Sequence, residues 1–197
     1  MIQKLIIIDN VLENFNEYKE EVLNSTFIDV VSQKIKYKDM SQSVDPKPIY
    51  NKIEGSLNLK TVDKTSFLRA YIDTPEYRHP MWIHSDVLFS QYIGVFFIQG
   101  SGFPQDDGLS IWKNNELGVH YLDNKDKDFE QKSKIVDSQS LDPEKWSIIK
   151  RAEFKENRLV LFPATWFHSK TTYGNYGKEL KDARIIHVLF FDVDKTE

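Results

Sequence analysis

Met81-Trp82-Ile83-His84-Ser85-Asp86 is a short apolar run that ends in His-x-Asp. Read as a β-strand, it alternates its side chains, so His84 and Asp86 project to one face and Ser85 to the other. An imidazole and a carboxylate side by side at a strand end can occupy two adjacent positions of one metal ion. A second histidine would complete the 2-His-1-carboxylate arrangement, which favours non-haem Fe(II) and leaves positions open for other ligands.

The segment Asn157-Arg-Leu-Val-Leu-Phe-Pro163-Ala-Thr-Trp-Phe-His168 supplies the candidate. A strand, a proline-containing bend and a histidine just inside the next strand can bring His168 opposite the His84/Asp86 pair. Further on, Ala183-Arg184-Ile-Ile-His187-Val-Leu-Phe-Phe191 reads as a last strand. Its period of two puts Arg184, Ile186, Val188 and Phe190 on one face, and Ile185, His187 and Leu189 on the other. A guanidinium on a largely apolar face needs an anion, and a ligand carboxylate held bidentately meets that need.

The texture from residue 61 onward is of short β-rich runs. Ser66–Ile72, Met81–Asp86, Ser90–Ile98, Gly108–Lys113, Trp146–Phe154, Arg158–Phe162, Phe167–Tyr173 and Ala183–Phe191 are separated by turn-forming residues, without helical patterns between them. That spacing predicts an antiparallel sandwich or barrel and disfavours a doubly wound α/β fold. Before it, Leu5–Ile8 reads as a first strand. Asn10 reads as the cap of a helix whose apolar stripe is Val11, Leu12, Phe15, Tyr18, Val22 and Leu23. Residues 37–50 contain Pro46 and Pro48 and read as an extended loop, with a short helix over Ile49–Leu59 as an option interrupted by Gly55. Tyr121–Pro143 is dense in Asp, Lys, Ser and Gln, and reads either as a solvated excursion or as a lid. A single domain over 1–197 is expected, with 1–60 as N-terminal support and 61–192 as the barrel core.

Composition narrows the class. The chain has 197 residues, 40% of them hydrophobic, enough for a substantial core, and a net charge of −4 that gives no basic footprint for nucleic acid or an anionic membrane. Its N-terminal apolar run is too short for a signal peptide or a membrane span. With no cysteine, thiolate sites and disulfides are excluded, and a cytoplasmic setting is expected.

The order His-x-Asp, distal His, then Arg on the last strand resembles the Fe(II)/2-oxoglutarate-dependent oxygenases, most nearly their prolyl-4-hydroxylase-like branch. Ile7-Ile8-Asp9-Asn10-Val11-Leu12 is similar to that branch's opening strand and helix. Gln91–Ile98 is similar to its long strand after His-x-Asp, Asp107–Trp112 to its glycine-rich turn into a strand, and Leu159–Pro163 with His168-Ser169 to its distal-histidine segment. The likeness runs over residues 5–192. Two features depart from it: Arg184 follows His168 by sixteen positions, with 174–182 as an apparent hairpin insertion, and Asp107 replaces one glycine of the family's Gly-Gly turn.

The resemblance implies a double-stranded β-helix (jelly roll) with Fe(II) on His84, Asp86 and His168. It implies 2-oxoglutarate as cosubstrate with its far carboxylate on Arg184, O₂ as oxidant, and substrate hydroxylation with release of succinate and CO₂. Tyr92 is a candidate partner for the cosubstrate carboxylate, or a core aromatic. His79, His120 and His187 read as structural, and Trp82, Trp112 and Trp166 as core or cavity wall. Arg69 and Arg78 sit near the expected mouth, to meet an anionic substrate or a surface acid. Two alternatives stay open: a non-catalytic jelly-roll module, and a cupin-like metal dioxygenase that uses no 2-oxoglutarate, for which a buried Arg184 has no purpose. The substrate, small molecule or protein, and the oligomeric state are left open.

Overall fold

Ten strands and three helices make up the described part of the chain, which a computed structural model places over residues 3–32, 35–72, 82–100, 102, 107–171 and 177–194. In order they are β1 (Ile6–Asp9), α1 (Phe15–Leu23), β2 (Ile28–Ser32), β3 (Ile35–Ser41), α2 (Lys47–Leu57), β4 (Thr61–Tyr71), β5 (Tyr92–Gln99), β6 (Leu109–Asn114), α3 (Phe129–Gln139), β7 (Trp146–Ala152), β8 (Arg158–Pro163), β9 (His168–Lys170) and β10 (Arg184–Val193). Seven strands form the larger sheet in the order β1-β8-β5-β10-β4-β3-β2, and three form the smaller in the order β7-β6-β9. Neighbours in both sheets run antiparallel. Two facing antiparallel sheets of this order are the jelly roll expected from the strand spacing.

The middle of the larger sheet is covered on both faces. One face packs against α1 and α2, where Tyr18, Val22, Ile49 and Ile53 meet Phe96, Leu161, Leu189 and Phe191. The other faces the smaller sheet, where Ile93, Val95, Val160 and Ile186 meet Leu109 and Ile111. All eight residues of β5 are therefore buried, and Tyr92-Ile-Gly-Val-Phe-Phe-Ile98 reads as a continuous rather than an alternating apolar run. A third cluster, built on Ile83, Trp112, Val136, Trp146 and Phe167, fills the outer side of the smaller sheet.

Several elements differ from the sequence reading. The first helix begins at Phe15, because Asn10 takes a left-handed φ of 52°. Leu12 N–H donates to Asn157 Oδ1 and Asn157 Nδ2 donates to Leu12 O, both at 2.9 Å. The backbone before the helix is thus spent on a long-range contact. The stretch expected as a loop over 37–50 holds the end of β3 and the start of α2, which tolerates Pro46 and Pro48 because both lie in its unbonded first turn. Tyr121–Pro143 contains α3, whose Val136 is buried, and its C-terminal end is tied down where Ile83 N–H donates to Ser140 O at 2.9 Å. It is a covering helix. Met81 lies outside the described residues, and Trp82–Asp86 forms one isolated bridge, His84↔His168, in place of a regular strand. The expected hairpin over 174–182 falls partly outside the described residues. Its described part makes a parallel bridge from Gly177 to Ile72 and a short 3-10 turn at Leu180–Asp182. No helix among the described residues is long and apolar enough to cross a membrane.

Candidate metal and oxo-acid site

β8 ends at Pro163, where a turn closes with Trp166 N–H donating to Pro163 O at 3.0 Å, and β9 opens on His168. One edge of β9 pairs with β6, with Ile111 opposite His168. The other edge takes the His-x-Asp segment: His168 N–H donates to His84 O at 2.9 Å and His84 N–H to His168 O at 3.2 Å. Asp86 N–H donates to Ala164 O at 2.9 Å, which fixes the next residue but one. Ile83 turns outward into the cluster beneath α3, and His84 and Asp86 turn inward, as the alternation predicts.

His84, Asp86 and His168 come together, with one ligand atom from each lying within 4.8 Å of the others. His84 Nε2 is 3.8 Å from Asp86 Oδ1 and His168 Nε2 is 3.4 Å from Asp86 Oδ2. An ion about 2.1 Å from each ligand needs adjacent donors about 3 Å apart, so the site need contract by no more than about 1 Å along these edges. Each imidazole has its other nitrogen occupied. His84 Nδ1 lies 2.9 Å from Trp82 O, and His168 Nδ1 lies 2.9 Å from Trp166 O. A carbonyl can only accept, so each Nδ1 carries a proton and Nε2 is the nitrogen of each ring that faces the centre and can ligate. The charges agree. Burial, reinforced by His168 and Arg69, holds His84 below its ordinary pKa against the pull of Asp86. Burial works against ionisation of Asp86, but His84 and His168 outweigh it and hold the carboxyl below its ordinary range. Two imidazoles, each with Nε2 turned to the centre, and one carboxylate can hold a divalent ion.

The same cavity, about 840 Å³, contains Arg184, the first residue of β10. Arg184 is 1% exposed, and its Nε donates to Asp107 O at 2.7 Å. Its Nη1 is the buried side-chain nitrogen that finds no hydrogen-bond partner among the described residues. A buried cationic donor left in that state costs free energy unless an anion reaches it. Register explains what lies beside it: Arg184 pairs with Tyr71 of β4, and its guanidinium carbon sits 4.7 Å from the centre of the Tyr71 ring. Arg69 lies over the same ring, also at 4.7 Å. Burial raises the Tyr71 pKa, but the two guanidinium groups more than offset it and hold the hydroxyl below its ordinary value of 10.0.

Arg184, Ile186, Val188 and Phe190 all line the cavity, while Ile185, Leu189 and Phe191 pack under the helices. Both faces of β10 are as the sequence predicts. Tyr92 is placed otherwise: it is out of phase with cavity-lining Ile93 and Val95, and packs in the helix-facing core with Phe191 at a ring distance of 5.7 Å. It therefore cannot reach a cosubstrate in the cavity, and of its two readings the core aromatic is the one the structure gives. Tyr71 is the tyrosine beside Arg184, and the pairing of β4 with β10 is the long-range fact a sequence reading lacks. Trp82 stacks on His84 at 4.8 Å, Trp112 donates from Nε1 to Ser169 Oγ at 2.9 Å, and Trp166 packs in the inter-sheet core. His187 is buried against Tyr18, whose hydroxyl meets its Nδ1, and His120 packs edge-on to Trp166. His79 and Arg78 lie outside the described residues.

No protein-family model and no curated protein matches the chain by sequence. Its fold does have counterparts among solved structures. AviO1 from Streptomyces viridochromogenes Tue57 superposes with a TM-score of 0.55 at 12% identity, over 98% of this chain and 91% of that one. The non-haem 2-oxoglutarate-dependent carbocyclase SnoK from nogalamycin biosynthesis gives 0.53 at 12% identity, over 98% and 80%. HygX from Streptomyces hygroscopicus, with nickel and 2-oxoglutarate bound, gives 0.52 at 9% identity, over 95% and 82%. The fold is the jelly roll of the 2-oxoglutarate oxygenases. At such identities the likeness concerns the fold, and function has to be argued from the site.

Proposed function

We propose that this protein is an Fe(II)- and 2-oxoglutarate-dependent oxygenase that hydroxylates an organic substrate. One observation carries the reading: a His-Asp-His cluster with both Nε2 atoms aimed inward shares its cavity with a buried guanidinium that has an unspent N–H. The metal ligands are His84, Asp86 and His168, which leave about half of an octahedral shell for other ligands. Arg184 receives the far carboxylate of 2-oxoglutarate, and Tyr71, wedged between Arg184 and Arg69, orients the guanidinium. When bound, Fe(II) with 2-oxoglutarate and O₂ supplies the oxidising chemistry, and succinate and CO₂ leave as co-products. The chain's own part is positional. Trp82 covers one side of the His84 ring, and the inter-sheet core excludes water from beneath the metal. A cosubstrate binder with this ligand set is disfavoured as a plain cupin-type dioxygenase, which has no use for Arg184. The order of the motifs supports placement near the prolyl-4-hydroxylase-like branch, and a chain without cysteine fits a cytoplasmic setting.

The test is conversion of 2-oxoglutarate to succinate by the protein with Fe(II) in air. Slow turnover that stops without O₂ and in Asp86→Ala is expected. Equal succinate from the protein and from Asp86→Ala would return the chain to the class of non-catalytic jelly-roll modules.

A further inference from the structure

Resting on that reading, we infer that the substrate is a small molecule with a flat, apolar ring body, seated between β2 and α3 at the mouth of the cavity. Size comes first. A cavity of about 840 Å³ falls in the range of small-molecule sites, roughly 300–1,000 Å³, and a five-carbon diacid held at Arg184 fills only its inner end. Part of the remaining wall is apolar side chains that stand bare to water. Ile28 is 58% exposed, Val30 38%, Trp82 39% and Phe89 63%, and all four line this one opening. Apolar side chains scattered singly over a surface need no explanation, but several converging on the rim of one cavity mark a ligand site.

The aromatic geometry says what kind of ligand. Phe89 lies 6.1 Å from Phe190, and Phe190 lies 5.9 Å from Phe67, which gives a run of rings from rim to wall. On the metal side, Trp82 lies flat on His84 with an interplanar angle of 25°, its indole still partly exposed. Ring faces and edges presented this way favour a flat ring system in stacked or edge contact. Polar side chains line the same cavity, Arg69 and Lys170 among them. Ser133 and Asp137, one helical turn apart, share a face of α3, and Gln42 and Ser43 follow β3. Hydrogen bonding is thus available to substituents on the ring, while the body meets hydrocarbon. A sugar or a charged peptide would leave its polar groups against Ile28, Val30 and Phe89, at a cost in desolvation.

The experiment is a fluorescence titration of the full chain with N-phenyl-1-naphthylamine, a neutral apolar probe, first without metal and then with Fe(II) and 2-oxoglutarate under nitrogen. One probe per chain is expected in both states. Phe89→Asp and Val30→Asp should each weaken binding roughly tenfold or more, as a carboxylate in an apolar wall must be desolvated. Ile148→Asp, at an exposed position on β7 outside the cavity, should leave binding unchanged. Circular dichroism melting of each variant separates lost binding from lost fold, and both test positions are exposed enough to take the change. No saturable binding, or binding indifferent to Phe89→Asp and Val30→Asp in folded protein, overturns the inference. Probe binding requires neither iron nor oxo acid, so its failure leaves the oxygenase reading standing, and failure of succinate formation leaves the ring-binding site standing.

Discussion

Replacing Arg184 by methionine should cost ligand binding far more than it costs stability. The side chain is 1% exposed, with Nε spent on Asp107 O and Nη1 on nothing described. With 2-oxoglutarate in place, the guanidinium becomes half of a buried charge pair, and truncating one partner of such a pair costs about 2–5 kcal/mol. At 1.4 kcal/mol per decade, the affinity for 2-oxoglutarate should fall roughly 30-fold to a few thousand-fold. Without ligand the opposing contributions nearly cancel. Methionine removes a desolvated charge and an unsatisfied donor, which is neutral to stabilising, and forfeits the hydrogen bonds to the Asp107 carbonyl and the Tyr71 hydroxyl, worth about 1 kcal/mol each. The ligand-free unfolding free energy should therefore move by no more than about 2 kcal/mol in either direction. Anaerobic titration of the Fe(II) protein with 2-oxoglutarate gives the first quantity and denaturant unfolding of the ligand-free protein the second. A variant several kcal/mol less stable that binds 2-oxoglutarate as well as before would refute the reasoning, since Arg184 would then be a structural residue.

Two further predictions concern the scaffold. Burial holds His187 down to about 4, with Asp45 pulling weakly the other way, so the unfolded chain binds the proton first as pH falls. Stability from this group is complete above pH 6.5 and drains away toward pH 4, by about 3 kcal/mol in all, and His187→Gln should flatten that part of the urea-denaturation profile. A Cβ at Gly108, just before β6, would collide with the carbonyl oxygen of Ala152 on β7, so Gly108→Ala should cost about 1–3 kcal/mol of unfolding free energy. Because the neighbouring Asp107 carbonyl holds Arg184, the same variant should also weaken 2-oxoglutarate binding, and a Gly108→Ala protein as stable as the parent would remove this account of the glycine.

Much of the site was legible because its strands obey a period of two. Once β10 is read as a strand, Arg184 and His187 fall on opposite faces, and the structure puts one in the cavity and the other under α1. His84 and Asp86 share a side even though their segment forms one bridge in place of a ladder, since an extended backbone alternates whether or not it is paired. Tyr92 shows where periodicity needs a phase. Its strand is right, but β5 is apolar on both faces, and nothing in a continuous apolar run says which residue looks inward. α3 was missed for the opposite reason: among its eleven residues Val136 alone is buried, so its apolar stripe is too thin to stand out from a polar loop. Tyr71 and the Asp107 carbonyl became site residues through the pairing of β4 with β10 and the approach of a distant turn, neither of which local sequence encodes.

The central claim is that His84, Asp86 and His168 hold iron beside a bound oxo acid. It is tested most directly by the visible spectrum of the protein with Fe(II) and 2-oxoglutarate under nitrogen. A weak metal-to-ligand charge-transfer band should appear only when both are present, and should be lost in Asp86→Ala and in His168→Ala. A spectrum without that band at saturating Fe(II) and 2-oxoglutarate, or a band that survives both substitutions, would contradict it.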